Sequence, residues 1–156
     1  MTALFFGIIF PAYSAEGDKK PLGISVETLG VIRYDDLSGP GTYGVGVDGG
    51  YQFNKYVIGH VRLISYETVT WRGTAIDEGS LLAEAKFLKS ANGKLSLSGI
   101  GGVHRDFDRD DWGFGIGLRG TANVYKALSA FAGGEIRAWF DQPKDGLITV
   151  GLQLAF

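Results

Sequence analysis

The sequence predicts an all-β fold, an eight-stranded antiparallel up-and-down transmembrane β-barrel. Three features predict it. From Gly23 onward the dominant hydropathy period is two, the period of a strand. One parity of each alternating segment is almost uniformly apolar, while the other carries the ionisable groups. The connections between segments alternate between longer and tighter ones.

Composition agrees. The chain has 156 residues, enough for one domain, with 25 glycines, 13% aromatics, four prolines and no cysteine. Glycine and aromatics with little proline suit a β-rich chain with many turns. A formal charge of −2 without a basic stripe argues against a nucleic-acid partner. No disulfide can form, and two histidines argue against a structural zinc site, so neither a metal nor a cofactor is expected.

No segment reaches the roughly 20 apolar residues that a transmembrane helix needs. The longest apolar run, residues 3–10, leads into small residues up to Ala15 and then a polar stretch over 16–21. That order reads as a secretory signal peptide over 1–15, clipped at its basic end because no Lys or Arg precedes the run. The barrel is then expected over 16–156.

The first strand is expected over 23–34, followed by a loose connection over 35–41. The second, 42–53, turns tightly at Asn54-Lys55. The third, 56–70, leads into a long connection over 71–79. In the fourth, 80–90, the stretch from Leu81 to Leu88 would pass for a helical turn or two. However, Asn92-Gly93 follows, the strongest short hairpin signal. The fifth, 94–104, ends in the charged run 105–111. The sixth, 112–123, turns tightly near Val124-Tyr125-Lys126. The seventh, 127–140, reaches the looser 141–146, and the eighth is 147–156. Successive connections of an up-and-down barrel lie at opposite ends. The four longer loops therefore share one end and the three tight turns the other, the arrangement of bacterial outer-membrane barrels.

The apolar parity runs from Val26 and Ile32 in the first strand to Val150, Leu152, Leu154 and Phe156 in the last. The other parity holds Glu27, Arg33, Asp48, His60, Arg62, Glu84, Lys86, Arg119, Glu135 and Arg137, joined by Gln52 and Gln153. A soluble barrel buries its apolar parity, whereas a membrane barrel turns it to lipid and keeps the charges in the lumen. Loop lengths favour the membrane, and so do two aromatic girdles. Tyr34, Tyr43, Tyr66, Trp71, Trp112, Trp139 and Phe140 lie towards the loops; Phe53, Tyr56, Phe87, Tyr125 and Phe156 lie towards the turns. A connected lumen ion-pair network of Glu27, Asp48, His60, Arg62, Glu84, Lys86, Arg119, Glu135 and Arg137 is expected, since an unpaired buried charge costs several kcal/mol.

The last strand, Val150-Gly151-Leu152-Gln153-Leu154-Ala155-Phe156, is apolar at alternate positions and resembles the assembly signal of outer-membrane β-barrel proteins. Gly49-Gly50-Tyr51-Gln52-Phe53-Asn54-Lys55 resembles strand-to-turn segments of the OmpA-like and OmpX-like barrels. The resemblance spans 23–156 and is to the class. It implies that Val150, Leu152, Leu154 and Phe156 are read by the barrel-assembly machinery. It also implies a bacterial outer-membrane location with loops at the cell surface, and outer-membrane lipids and lipopolysaccharide as partners. No peptidoglycan-binding domain is expected after the last strand.

The interior of an eight-stranded barrel is just filled by side chains, so a plugged lumen is expected, with a small water channel as the alternative. Gly44, Gly46 and Gly50, and Gly113, Gly115 and Gly117, line the lumen side of the second and sixth strands and would leave room for long arginines. The run Asp106-Phe107-Asp108-Arg109-Asp110-Asp111 alternates carboxylates as a calcium loop does, but arginines interrupt it and the required glycine and distal glutamate are missing. A lipid A-modifying enzyme would need a serine near a histidine at the lipid-facing rim. His104 lies near the external rim with only a distant serine such as Ser38, and His60 lies low and inward, so no catalytic residue is assigned. The sequence therefore reads as a barrel with a structural or surface-interaction role through its loops, whose ligand or host factor no motif identifies. A lipid A-modifying enzyme and a soluble lipocalin-like binding barrel are the alternatives.

Overall fold

The computed structural model of the chain describes residues 23–35, 41–54, 56–66 and 76–156. The signal-peptide segment, Ser38, Lys55 and Trp71 lie outside the described residues.

Eight strands follow one another: β1 (Ile24–Asp35), β2 (Gly41–Gln52), β3 (Val57–Tyr66), β4 (Glu78–Lys89), β5 (Leu95–Asp106), β6 (Asp111–Tyr125), β7 (Leu128–Trp139) and β8 (Asp145–Ala155). Each pairs antiparallel with its chain neighbours, and β1 pairs with β8 to close the barrel. In that seam Val26 lies opposite Leu154 and Arg33 opposite Leu147. The Phe156 amide donates to the Ile24 carbonyl at 2.8 Å. Closure leaves no edge of unpaired backbone groups, which only a closed barrel achieves in lipid.

Each connection at the turn end has a local cause. The Asn54 side-chain oxygen accepts from the Tyr56 and Val57 amides at 2.8 and 3.0 Å, an Asx-type turn. Between β4 and β5, the Asn92 oxygen accepts from the Lys94 amide at 3.0 Å while Gly93 takes a left-handed φ of 68°. Between β6 and β7 only residues 126 and 127 intervene, and Lys126 has φ 43°.

The expected alternation of loop lengths holds only in part: residues 67–77 still make a long connection between β3 and β4, but others at that end are short. The strands outrun their expected ends: β4 begins at Glu78, β5 continues to Asp106, β6 begins at Asp111 and β8 begins at Asp145. Residues 107–110 alone join β5 to β6, a connection as short as 53–56 at the turn end. The two ends of the charged run are thus strand, and Asp106 and Asp111 are ladder partners. Aspartate next to aspartate reads as loop by composition. It stays in register here because alternate residues still point inward.

Inside and outside separate by parity. Among the described residues, 27 large hydrophobics are exposed and nine are buried, the reverse of a soluble protein. This inversion, around an interior filled by charged side chains, does not fit the soluble lipocalin-like alternative. Tyr43, Trp112 and Phe140 at the loop end, and Phe53, Tyr56, Phe87 and Tyr125 at the turn end, are exposed as girdle residues would be. Tyr66 and Trp139 depart from the expected girdle. They share the inward parity of Arg62 and Arg137, so Trp139 is 7% exposed and the Tyr66 hydroxyl donates to Glu78 at 2.9 Å. The lumen also contains an apolar wedge of Leu29, Val31, Ile64, Phe131 and Leu147, with Tyr66 packed against it.

Candidate functional site

The inward parity of all eight strands delivers charged side chains into the lumen, where most of them are buried. They assemble into two hydrogen-bonded groups stacked along the barrel axis.

The group nearer the turns starts at Glu27 of β1. Arg119 of β6 donates to both of its oxygens, at 2.9 and 2.7 Å, and Gln153 of β8 donates to it at 2.9 Å. Arg119 also lies 3.6 Å from Glu84 of β4, which accepts from Ser98 at 2.7 Å. His60 of β3 sits between two carboxylates, with Nδ1 2.9 Å from Asp48 and Nε2 3.1 Å from Glu84. Both ring nitrogens face acceptors, so the ring satisfies both only by donating from each. Arg62 then donates to Asp48 at 3.2 Å and to Glu135 at 2.5 Å. The Arg119 guanidinium carbon lies 3.8 Å from the centre of the Phe131 ring, joining this group to the apolar wedge.

The group nearer the loops is centred on Arg137. It donates to both oxygens of Asp145, at 2.7 and 2.8 Å, and to Glu78 at 2.5 Å. Arg33 lies 2.8 Å from Asp145 and donates to Asp106 at 3.0 Å. Trp139 lies under both guanidiniums, 5.4 Å from that of Arg33 and 5.1 Å from that of Arg137. The two groups meet where His104 Nε2 lies 3.7 Å from Glu135 Oε2, and neither atom has a hydrogen bond.

Glu27, Asp48, His60, Arg62, Glu84, Arg119, Glu135 and Arg137 are all buried within these groups. Lys86 is not part of them. It has the same parity but lies half-exposed at the turn-side mouth next to the bulge of β4, and forms no ion pair among the described residues. Water solvates an ammonium there, so no carboxylate is needed. Gln52 is likewise exposed at that mouth.

Sequence reasoning missed Glu78, Asp106, Asp145 and His104. The signal for the first three was the parity itself, extended two residues beyond the expected strand ends. His104 is fully buried, not a rim residue, because it continues the inward series Ser98, Ile100, Gly102.

The lumen glycines make room, but chiefly for residues other than arginine. In β2 a Cβ at Gly44 would meet Val31 at 2.8 Å and Tyr66 at 2.9 Å, and one at Gly46 would meet Leu29 at 3.1 Å. In β6 a Cβ at Gly113 would meet the Trp139 ring at 2.8 Å, and one at Gly115 would meet His104 Nε2 at 2.5 Å and Arg137 at 3.1 Å.

Two constellations inside the lumen carry the outline of other chemistry. Glu27, Asp48 and His60 offer ligand atoms within 4.8 Å of one another. Arg119 and Arg62 already hold the two carboxylates, so a cation would have to displace buried guanidiniums. Ser80 Oγ lies 2.9 Å from His104 Nδ1, with Glu78 3.4 Å from the same nitrogen. A hydrolytic triad needs its acid on the opposite nitrogen and its serine open to substrate. Here Glu135, on the opposite nitrogen at 3.7 Å, forms no hydrogen bond to it, and Ser80 is 5% and His104 0% exposed. On the outer face, Val150, Leu152 and Leu154 form an exposed apolar row along β8.

No protein-family model matches the chain, and no curated protein sequence matches it. Among solved structures the chain resembles Ail, the attachment invasion locus protein of Yersinia pestis, with 17% identity, TM-score 0.48 and coverage of 85% of this chain and 96% of that one. It also resembles the outer membrane protein OprG from Pseudomonas aeruginosa, with 12% identity, TM-score 0.48 and coverage of 87% and 97%. A product of the de novo design of transmembrane β-barrels is similar at TM-score 0.54 and 15% identity, over 88% of this chain and 98% of that one. Inverted surface, closed antiparallel sheet and structural likeness agree that this chain has the fold of a transmembrane β-barrel.

Proposed function

We propose that this chain is an integral protein of a bacterial outer membrane, a plugged barrel whose loop end presents a surface to the cell exterior. The observation that carries this reading is the pairing of an exposed apolar belt with a lumen closed by buried guanidinium–carboxylate pairs at two levels. Such a lumen is a strut for the wall and passes no solute. The role of the protein is then structural or adhesive, with the outer-membrane lipids and lipopolysaccharide as its surroundings. The outward row Val150, Leu152, Leu154 and Phe156 is the surface offered to the barrel-assembly machinery during insertion. In this reading no residue performs a chemical step.

The test is expression in a Gram-negative host, fractionation, and electrophoresis with and without boiling. The chain is expected in the outer-membrane fraction with a band that shifts on heating. Recovery in the soluble fraction without a shift sinks the membrane reading. Stepwise ion conductance of the pure protein in a planar bilayer would reject the plug.

A further inference from the structure

The two kinds of cation in this chain are used differently. All six described arginines, Arg33, Arg62, Arg105, Arg109, Arg119 and Arg137, have a carboxylate partner. None of the described lysines forms an ion pair with a described residue. Four of them, Lys86, Lys89, Lys94 and Lys126, gather at the turn end of the barrel.

Among the described residues, that end contains no Asp or Glu. None occurs over 23–26, 50–58, 86–96, 121–130 or 151–156, the stretches that form the rim. The loop end mixes the signs, with Asp35, Asp108, Asp110 and Asp141 at its surface beside Arg105, Arg109 and Lys144. Among the described residues the barrel is therefore cationic at the turns and of mixed sign at the loops. Lys89, Lys94 and Lys126 are exposed and Lys86 is half-exposed. Lys126 rises beside an outward aromatic of the same rim. The Lys126 ammonium lies 5.2 Å from the centre of the Tyr125 ring, which is 65% exposed, and Phe87 of β4 is 54% exposed. Aromatic bodies at that height sit at the level of lipid headgroups, with flexible ammonium groups just beyond them.

We propose that the turn-end rim is a binding surface for anionic phospholipid headgroups of the leaflet it faces. Phosphate diesters supply the negative charge that the described residues of this rim lack, and an ammonium engages them as a point charge without the fixed fork geometry of a guanidinium. Lysine suits a fluid lipid surface, just as arginine suits the fixed pairs of the lumen. The proposal rests on the reading that the barrel spans a bilayer.

The experiment refolds the full chain into vesicles of zwitterionic phosphatidylcholine, or of the same lipid with one third phosphatidylglycerol. The folding equilibrium is read at fixed urea from the heat-shifted band. A lysine near an anionic surface contributes about fivefold to membrane affinity. The parent is therefore expected to gain at least about tenfold in the folding equilibrium from phosphatidylglycerol. The gain should vanish at 0.5 M NaCl, where the Debye length is about 4 Å. It should also vanish in the quadruple variant Lys86→Gln, Lys89→Gln, Lys94→Gln, Lys126→Gln, and return with Arg at the same four positions. The single variant Lys126→Gln, at an exposed turn, guards against a folding defect and should lose part of the gain.

A parent that folds equally well in both vesicles overturns the proposal, and so does a Gln variant that keeps the full gain. Stabilisation by soluble polyglutamate but not by phosphatidylglycerol assigns the rim to acidic protein segments and overturns the lipid assignment. A folded band in neutral vesicles without lipid discrimination refutes the rim alone. No folded band in any vesicle refutes the membrane reading and the rim together.

Discussion

Arg62 occupies the middle of the lumen and shows how single residues decide the energetics. It is 1% exposed and donates to Asp48 and Glu135, on strands far apart in the chain. Removing one partner of a dry pair strands the other charge. Glu135→Ala is therefore expected to destabilise the barrel by about 3–5 kcal/mol in urea titration. A loss under about 1 kcal/mol would mean that water screens the guanidinium and that the plug is wet. The glycines offer a second test. A Cβ at Gly115 would fall 2.5 Å from His104 Nε2, whereas one at Gly49 meets nothing within 4 Å. Gly115→Ala should cost about 1–3 kcal/mol and Gly49→Ala should stay within about 0.5 kcal/mol. Equal effects would show that the ring beside Gly115 yields freely. At this scale the sequence was informative wherever an ionisable residue lay well inside a strand, as at Glu27, Asp48, Arg62 and Arg119. It misled at Trp139 and Tyr66, where an aromatic near a strand end looked like an interfacial anchor although its parity was that of the lumen. Partners on distant strands, such as Glu78 with Arg137, depend on the stagger of the whole sheet, which no local pattern encodes.

The strands themselves were legible because a half-buried ladder imposes period two on every segment, and a slip of one residue would turn every charge to lipid. Their ends were not. Glu78, Asp106, Asp111 and Asp145 extend the ladders, yet acidic residues beside glycine, as at Glu78 and Asp145, or within a charged run, as at Asp106 and Asp111, carry the composition of loops. The contrast between long loops and tight turns faded once those residues joined strands. The inside–outside assignment makes a prediction at this scale. Ile116 of β6 is 75% exposed and lies opposite Gly101 and Ile136, well away from either rim. Ile116→Arg should destabilise the barrel by about 2–4 kcal/mol in a bilayer. Val124→Arg, at the turn rim, should cost about 0–1 kcal/mol, because the guanidinium reaches the interface. Equal costs at the two positions would mean that β6 does not cross a hydrocarbon layer between them.

For the whole molecule, the seam between β1 and β8 sets an order of events. Thr28 faces Val47 on one side and Leu152 on the other. The first partner is near in the chain, and the second is almost the whole barrel away. Closing a loop costs more entropy the longer it is, so hairpins form early and the seam forms late. Until then the sheet has two open edges, which hydrocarbon does not tolerate. Circularisation and burial in the bilayer are therefore one cooperative event. The chain has no cysteine, so introduced pairs report cleanly on that order. Oxidation during folding should link Thr28→Cys to Val47→Cys before Thr28→Cys links to Leu152→Cys. Trapping at the seam should coincide with protection from external protease, and a seam bond that forms first would show that the barrel is assembled around its ends.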